Sequence, residues 1–448
     1  MGVAVSAGRD ISAVSDGRNG DGIDLYSHRK NAQVRWAQVR REKRMIDVLI
    51  AGGGYVGLSL AVSLKKAAPH FAVTVVDGAP EGAWKKDERA SAVASAAERM
   101  LQVLGVWDAI VPEAEPILRM VITDSKAADP VRPVFLTFEG DGGDGRPFAH
   151  MVPNTAMVGA LRTVCKDLGV SIQQSSMVES FKSGEHAVVV TLAGGETIET
   201  RLLVACDGVR SKLREAAGIK VVEFDYGQSG IVTTVEHERP HEGTAEEHFL
   251  PAGPFATLPL KNNRSSLVWT ESTFDAERLV KADDFLFEEE LERRFGHKLG
   301  HLKVVGGRRA FPLGLTLARD FVAPRFALAG DAAHGIHPIS GQGLNLGFKD
   351  VAALAETIVE ADRLGLDIGS LAVLERYQSW RRFDTFRMGV TTDVLNRLFS
   401  NDITPIRIAR DVGLGIVDRL PSLKNFFIRQ AAGVAGEGDP RLLAGQPI

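Results

Sequence analysis

The sequence predicts an α/β protein, with a Rossmann-like dinucleotide-binding domain, an inserted mixed β-sheet substrate domain and a helical C-terminal region. Three observations carry that prediction. An apolar strand from Ile46 runs into Gly52-Gly53-Gly54-Tyr55-Val56-Gly57 and then into a helical pattern. Two later apolar strands, at 202–206 and 326–329, each end in an acid beside a glycine, as Asp207-Gly208 and Gly330-Asp331. Between them, residues 219–308 read as mostly β, whereas from Leu371 onward apolar residues return at helical spacing.

On this reading the chain divides into a disordered basic extension over 1–44, nucleotide-domain segments over 45–115, 151–218 and 309–370, substrate-domain segments over 116–150 and 219–308, and a helical region over 371–448. The 448 residues, 44% of them hydrophobic, suffice for a large core and two or three domains. A net charge of -4 argues against nucleic acid, which is bound mainly through phosphate contacts, and in favour of a small-molecule partner. The two cysteines, Cys165 and Cys206, stand in apolar runs, so neither a disulfide framework nor a Cys-based metal site is expected, and a reducing compartment fits. Asn263-Arg264-Ser265 matches a glycosylation pattern but follows no secretory signal. No run of about 18 apolar residues marks a membrane span.

Residues 1–44 are polar and then basic, with Arg29, Lys30, Arg35, Arg40, Arg41, Lys43 and Arg44 against Glu42. A targeting peptide and a basic membrane-surface segment are both readings, although Asp10, Asp16, Asp21 and Asp24 count against a transit peptide. Met45 directly precedes the first strand, so the expected start is either Met1 or Met45.

In the first βαβ unit, Gly52 permits the tight turn, Gly54 admits a pyrophosphate and Gly57 packs helix on strand. The second strand, 73–76, ends at Asp77, twenty residues beyond Gly57, where an acid can bond a ribose. Gly140 to Gly145 fits the same glycine spacing, but Pro147 follows and no helical pattern does, so it reads as a surface turn. Arg89 lies upstream of a helix that Ser95 and Glu98 would open as a capping box and Gly105 would close; it either faces a phosphate or flat ring, or is solvated. Residues 116–150 hold short strand-like runs around Pro130 and Pro133, and Asn154 would cap the next helix. Asp207 either faces a ligand or caps a helix, with Arg210 and Arg214 just beyond it.

Over 219–308, Lys261-Asn262-Asn263 signals a hairpin, and Phe255 and Trp269 read as core or as pocket lining. The stretch 325–356 organises the whole chain. Its strand leads through Gly330 and Asp331 to a glycine-rich turn and a helix with Leu344, Phe348, Val351, Ala355 and Ile358 at helical spacing. Asp331 can accept from sugar-type hydroxyls, while backbone N–H groups around Gly341, Gln342 and Gly343 favour negative charge. His334 and His337 read as satisfying backbone groups in the turn. Trp380, Phe383 and Phe386 form a turn-spaced stripe, and Phe426, Phe427 and Ile428 between Lys424 and Arg429 mark a packed terminal helix or one that docks on a membrane surface.

These three strand-end motifs, in this order, resemble the single-component flavin-dependent aromatic hydroxylases with a p-hydroxybenzoate hydroxylase-like fold. His337 to Gly347, Tyr226-Gly227-Gln228, Pro240-His241 and Gly253 to Leu260 look like the ubiquinone-biosynthesis hydroxylase subfamily, over a resemblance that runs from about Met45 to the C-terminus. Ser340 stands where that subfamily often has alanine, and 1–44 has no counterpart in it. The resemblance implies FAD held by Gly52, Gly54, Gly57, Asp77, Arg89, Asp207, Gly330 and Asp331, with Pro338, Gly341, Gln342, Gly343, Leu344 and Asn345 along the isoalloxazine ring. It implies reduction by NAD(P)H or another donor, O2 bound as a C4a-hydroperoxide, and oxygen delivery to a phenol carrying a polyprenyl tail. No residue is singled out as a catalytic acid or base, and no metal is implied. The expected location is cytoplasmic, peripheral to the inner membrane and against its surface, with membership of a quinone-biosynthesis complex possible. A halogenase is disfavoured because Trp36, Trp84, Trp107, Trp269 and Trp380 are scattered. A flavin-dependent reductase or epoxidase of prenyl lipids, and a mainly structural FAD-binding subunit of such a complex, are the alternatives.

Overall fold

The computed structural model describes residues 45–124, 134–139, 147–337, 341–399 and 439–448. The basic run before Met45, Pro130, Pro133, the 140–145 turn, Pro338 and the Phe426 to Ile428 cluster lie outside the described residues.

The nucleotide domain is built on strands that are apolar on both faces, so they are buried on both sides and pair in parallel. Ile46–Ala51 lies between Thr197–Ala205 and Val73–Asp77, and Phe326–Leu328 extends the sheet beyond Thr197–Ala205. Ala51 is level with both Val76 and Ala205, and Ala205 is level with Leu328. Four neighbouring strands therefore finish along one carboxyl edge. The residues that follow, Asp77, Gly52, Asp207 and Gly330, emerge side by side from it. Val178–Ser183 and Val188–Leu192 continue the sheet in antiparallel fashion from Thr197–Ala205.

Helix Tyr55–Ala67 packs on this sheet, Asn154–Asp167 and Gly343–Arg363 pack against that helix and share one buried core with the strands, and Leu371–Phe399 packs against Gly343–Arg363. Leu344, Phe348, Val351, Ala355 and Ile358, the stripe expected from spacing, are all buried. Among the described residues no helix is long and apolar enough to cross a membrane.

The second large sheet is mixed. Val221–His237 is its long spine, paired antiparallel with Arg264–Ser272 on one side and Arg309–Ala318 on the other. Gly253–Leu260 and Thr244–Leu250 follow, and Arg119–Asp124 then joins in parallel. The hairpin across Lys261-Asn262-Asn263 forms with Asn262 and Asn263 both at positive φ. Ala90–Ala94, Ala149–Pro153 and Glu115–Ile117 make a small third sheet. A short strand, His334–Gly335, pairs with Arg309–Ala318, so the turn after Asp331 is stitched directly to the mixed sheet.

Several local expectations are corrected. The segment 219–308 contains two helices, Thr273–Lys281 and Asp284–Phe295, whose Leu279, Phe287, Leu291 and Phe295 cover the outer face of the mixed sheet. Arg309–Ala318, expected in the nucleotide domain, belongs to the mixed sheet by its hydrogen bonds. Ser95 does not cap its helix: it is already the first helical residue, Ala94 is the N-cap, and Glu98 bonds Gln102 instead of closing a box. Asn154 is likewise inside its helix, with its amide turned to Ser91 and Asp87.

Candidate functional site

The glycine turn shows what each glycine is for. Gly52 has φ +119°, and a Cβ there would sit 2.2 Å from the Cys206 carbonyl oxygen. A Cβ on Gly57 would lie 2.1 Å from the Gly52 carbonyl oxygen, so only glycine lets the helix approach the strand. At Gly53 a Cβ would strike the Asp77 carboxylate at 2.5 Å, which places Asp77 against the turn. Gly54 differs. Among the described residues a Cβ there meets nothing within 4 Å, so the space in front of it is open.

The third motif is packed against the first. Cβ atoms added at Gly330 and Gly347 would meet the Val56 side chain at 3.0 and 2.7 Å, so the strand end and the helix Gly343–Arg363 both close on Tyr55–Ala67. Both helices start at the cleft, and their first N–H groups have no partner within the helix. Gly341, at φ +62°, turns the chain into the second of them.

In front of these starts lies a cleft of about 1100 Å³. Tyr55, Arg89, Asp331 and Gly341 to Asn345 form its nucleotide-domain wall, and Ile117, Met120, Phe148, Ala245, Leu258 and Val268 form an apolar wall opposite. Asp331 is exposed to the cleft yet crowded by protein on other sides, and that desolvation raises its carboxyl above the ordinary carboxylate range. Burial, with Asp331 nearby, likewise pushes the Tyr55 phenol up, so it remains a donor.

Of the residues expected around the cofactor, Arg89, Asp331, Gly341, Gln342, Gly343, Leu344 and Asn345 line the cleft. Gly52, Gly54, Gly57, Asp77 and Gly330 sit along the strand edge that leads into it. Asp207 shares that edge, but its carboxylate turns to the Leu213 N–H at 3.4 Å, at the start of Lys212–Ala216, and Ser211 caps that helix. Arg214 is buried and donates to the carbonyls of Ala332 and Val209, tying the second motif to the third. Asn345 holds the Ala90–Ala94 strand, accepting from the Ala94 N–H at 3.0 Å and donating to the Ala92 carbonyl at 3.0 Å.

His334 does not satisfy a backbone group as expected: it faces the Asp350 carboxylate at 2.5 Å, fully buried. His337 packs edge-on to Tyr226 at 5.5 Å, and burial pushes its pKa down to about 4, so it is neutral. Phe255 and Trp269 belong to the core under the outer helices, not to the cleft. Asp87 is not singled out by the sequence and Asn154 only as a helix cap, although together they fix Arg89. The one available signal was an acid two residues before that arginine.

The donor set fits an extended dinucleotide that carries a flat ring. Open space lies in front of Gly54, two helix starts face the cleft, a carboxylate projects at one strand end, and glycines flank the place where a ring would lie.

A family model described as an FAD binding domain matches residues 45–382. Ubiquinone hydroxylase UbiL of Rhodospirillum rubrum is 45% identical over 411 residues, covering 90% of this chain and 94% of its own. The 3-demethoxyubiquinol 3-hydroxylase of Escherichia coli is 34% identical over 394 residues, covering 87% and 98%. Among solved structures, p-nitrophenol 4-monooxygenase PnpA of Pseudomonas putida has a TM-score of 0.70 at 20% identity, covering 87% of this chain and 96% of that one, which is a likeness of fold.

Proposed function

The chain belongs to the FAD binding domain family, among the ubiquinone-biosynthesis hydroxylases, and on that premise we propose that it hydroxylates the aromatic ring of a polyprenylated phenol, with O2 as oxygen source and NAD(P)H as reductant. One observation carries the reading to this substrate class: a single cleft joins the Asp331 and Gly341–Asn345 edge to a wall of Ile117, Met120, Phe148, Ala245, Leu258 and Val268, which suits a ring at one end and an isoprenoid tail at the other.

FAD supplies the chemistry, since its reduced ring activates O2 for transfer of one oxygen atom to an electron-rich ring. The chain's own residues bind, orient and exclude. Gly52, Gly54 and Gly57 would shape the turn for the diphosphate, Asp77 and Asp331 would accept from sugar-type hydroxyls, and the N-terminus of Gly343–Arg363 would favour negative charge developing on the ring. The apolar wall keeps water away from the reacting centre. His337 is held neutral and His334 is locked to Asp350, so neither is assigned proton transfer.

Peripheral placement at the cytoplasmic face of the inner membrane is part of the proposal. What supports it is the outer face of Leu371–Phe399, where Phe383, Phe386, Val390 and Val394 are exposed at helical spacing beside Arg382 and Arg387. The test of function is product analysis. The yellow holoenzyme with NAD(P)H, 18O2 and a detergent-solubilised prenylphenol should release a ring carrying one labelled oxygen. NAD(P)H oxidation that yields peroxide and no labelled phenol sinks the hydroxylase reading.

A further inference from the structure

Asp350 is a charge buried inside the helix Gly343–Arg363, and the reading above gives it no task. Its side chain and that of His334 are fully inaccessible, and Arg381 reaches it from Leu371–Phe399. One carboxylate oxygen accepts from the Gly330 N–H at 2.9 Å and faces His334 Nε2 at 2.5 Å. The other accepts from Arg381 Nε at 2.8 Å. Arg381 also donates to Asp384 at 2.8 Å, and Asp384 is held in turn by Lys349 and Arg387. Burial alone would raise the Asp350 carboxyl, but His334 and Arg381 outweigh it and hold the group below the usual range, so it is ionised.

Well-packed apolar residues often replace a buried ion pair without loss of stability, so packing alone gives no reason for an anion at this position. Its bonds show a more specific pattern. Gly330 and His334 bracket Asp331, and both are held by the same oxygen of Asp350. Gly330 is at φ +63°, so the turn is tight at the residue just before Asp331. His334 also begins the short strand that pairs with Leu317 of the mixed sheet.

We propose that Asp350, oriented by Arg381, is a positioning residue for the cofactor: from behind the cleft it clamps both ends of the 330–334 turn, so that Asp331 presents its carboxylate to the sugar-type hydroxyls of FAD. The proposal rests on the FAD reading of the cleft. A role in stability alone would lower the melting temperature and leave the affinity of the folded protein for FAD unchanged. A clamp makes affinity and the bound ring's environment depend on Asp350.

The experiment uses the full chain stripped of flavin and titrated with FAD by fluorescence quenching, together with the visible spectrum of the reconstituted protein, well below the melting temperature. Asp350→Asn keeps the shape but cannot accept from Gly330, His334 and Arg381 together, and should weaken FAD binding roughly tenfold and blur the shoulder of the bound-flavin band. Arg381→Met should behave in the same way, and Arg381→Lys, which keeps the charge, should recover most of the affinity. If Asp350→Asn does not fold, the Arg381 pair decides. Wild-type affinity and an unaltered spectrum in Asp350→Asn, or in Arg381→Met, overturn the clamp while the FAD reading stands. A wild-type chain that takes up no FAD overturns both.

Discussion

Gly54 and Gly57 separate a cofactor requirement from a folding requirement, because they lie three residues apart and differ in what a methyl group would meet. At Gly57 a Cβ would lie 2.1 Å from the Gly52 backbone oxygen and 3.2 Å from Ile50, and a backbone atom cannot swing aside. Gly57→Ala therefore forces Tyr55–Ala67 off the sheet, an overpacking that destabilises by about 1–3 kcal/mol. Gly54 has extended backbone, with φ -79° and ψ -179°, that any residue adopts. Its Cβ meets nothing described within 4 Å, so Gly54→Ala costs only the weaker N-cap, about 0.5 kcal/mol. That methyl group, however, projects into the space assigned to the diphosphate. Displacing a group bound by helix N–H donors should cost about 1.4 kcal/mol or more, a tenfold rise in the FAD Kd. The assay pairs thermal melts of the flavin-free variants with FAD titration. Gly54→Ala should melt near wild type and bind FAD at least tenfold more weakly, with Gly54→Val weaker still, and Gly57→Ala should melt several degrees lower. A Gly54→Val variant that binds FAD as wild type does would remove the diphosphate from this turn, and the reasoning would fail with it.

Asp331→Ala should lose most bound FAD because it removes the acceptor at the third strand end; full flavin absorbance after gel filtration would contradict that role. Acid should destabilise the fold through His337. Its pKa in the folded chain is about 4 against an ordinary 6.5, so the unfolded chain takes up the proton first, and stability present above pH 6.5 is lost as pH falls towards 4, by about 3 kcal/mol in all. Urea melts at several pH values should show that slope, and it should flatten in His337→Gln; an unchanged slope assigns the acid limb elsewhere. Replacing Phe383 and Phe386, 74% and 58% exposed, by serine should leave the melting temperature unchanged and lower binding to anionic vesicles roughly a hundredfold, from about 1.5 kcal/mol or more per buried ring. Equal co-sedimentation of the double variant and wild type would argue against membrane docking through this helix face.

The parts legible in the sequence are those whose causes are local. The glycine turn, its flanking strand and helix, and the strand ending at Gly330 are each written within a few dozen residues, and the structure forms all of them. The failures have distant causes. Glu98 three residues on makes Ser95 look like a cap, yet the Ala94 N–H bonds Asn345, 251 residues away, and the strand Ala90–Ala94 runs directly into the helix. The Phe287, Leu291 and Phe295 stripe was present in the sequence, but the dense acids and arginines around it hid a helix whose other face is solvated. Asp350 gave no signal at all, because a buried anion is explained only by its partners, and His334 and Arg381 come from other elements.

Arg89 shows how the site combines both kinds of cause. The sequence leaves it either a solvated loop residue or a ligand to phosphate or ring, and the structure ties it down within the chain itself. Its Nε and one terminal nitrogen donate to the two Asp87 oxygens, each at 2.8 Å. Asp87 also accepts from Asn154, whose amide oxygen accepts from Ser91. The Asp87 partnership raises the Arg89 pKa, and its guanidinium rests 5.5 Å from the Phe311 ring at the cleft wall. Bidentate use of one edge leaves the end-on pair of terminal nitrogens for the cleft, so the arginine offers directed N–H donors while Asp87 cancels much of its net charge. That suits a group to be positioned more than one to be attracted from a distance. The turn after the first strand is thus fixed by backbone that glycine alone permits at Gly52 and Gly57, and the cleft wall at Arg89 by side chains braced against one another, which is why motif spacing reveals the first and only the folded chain reveals the second.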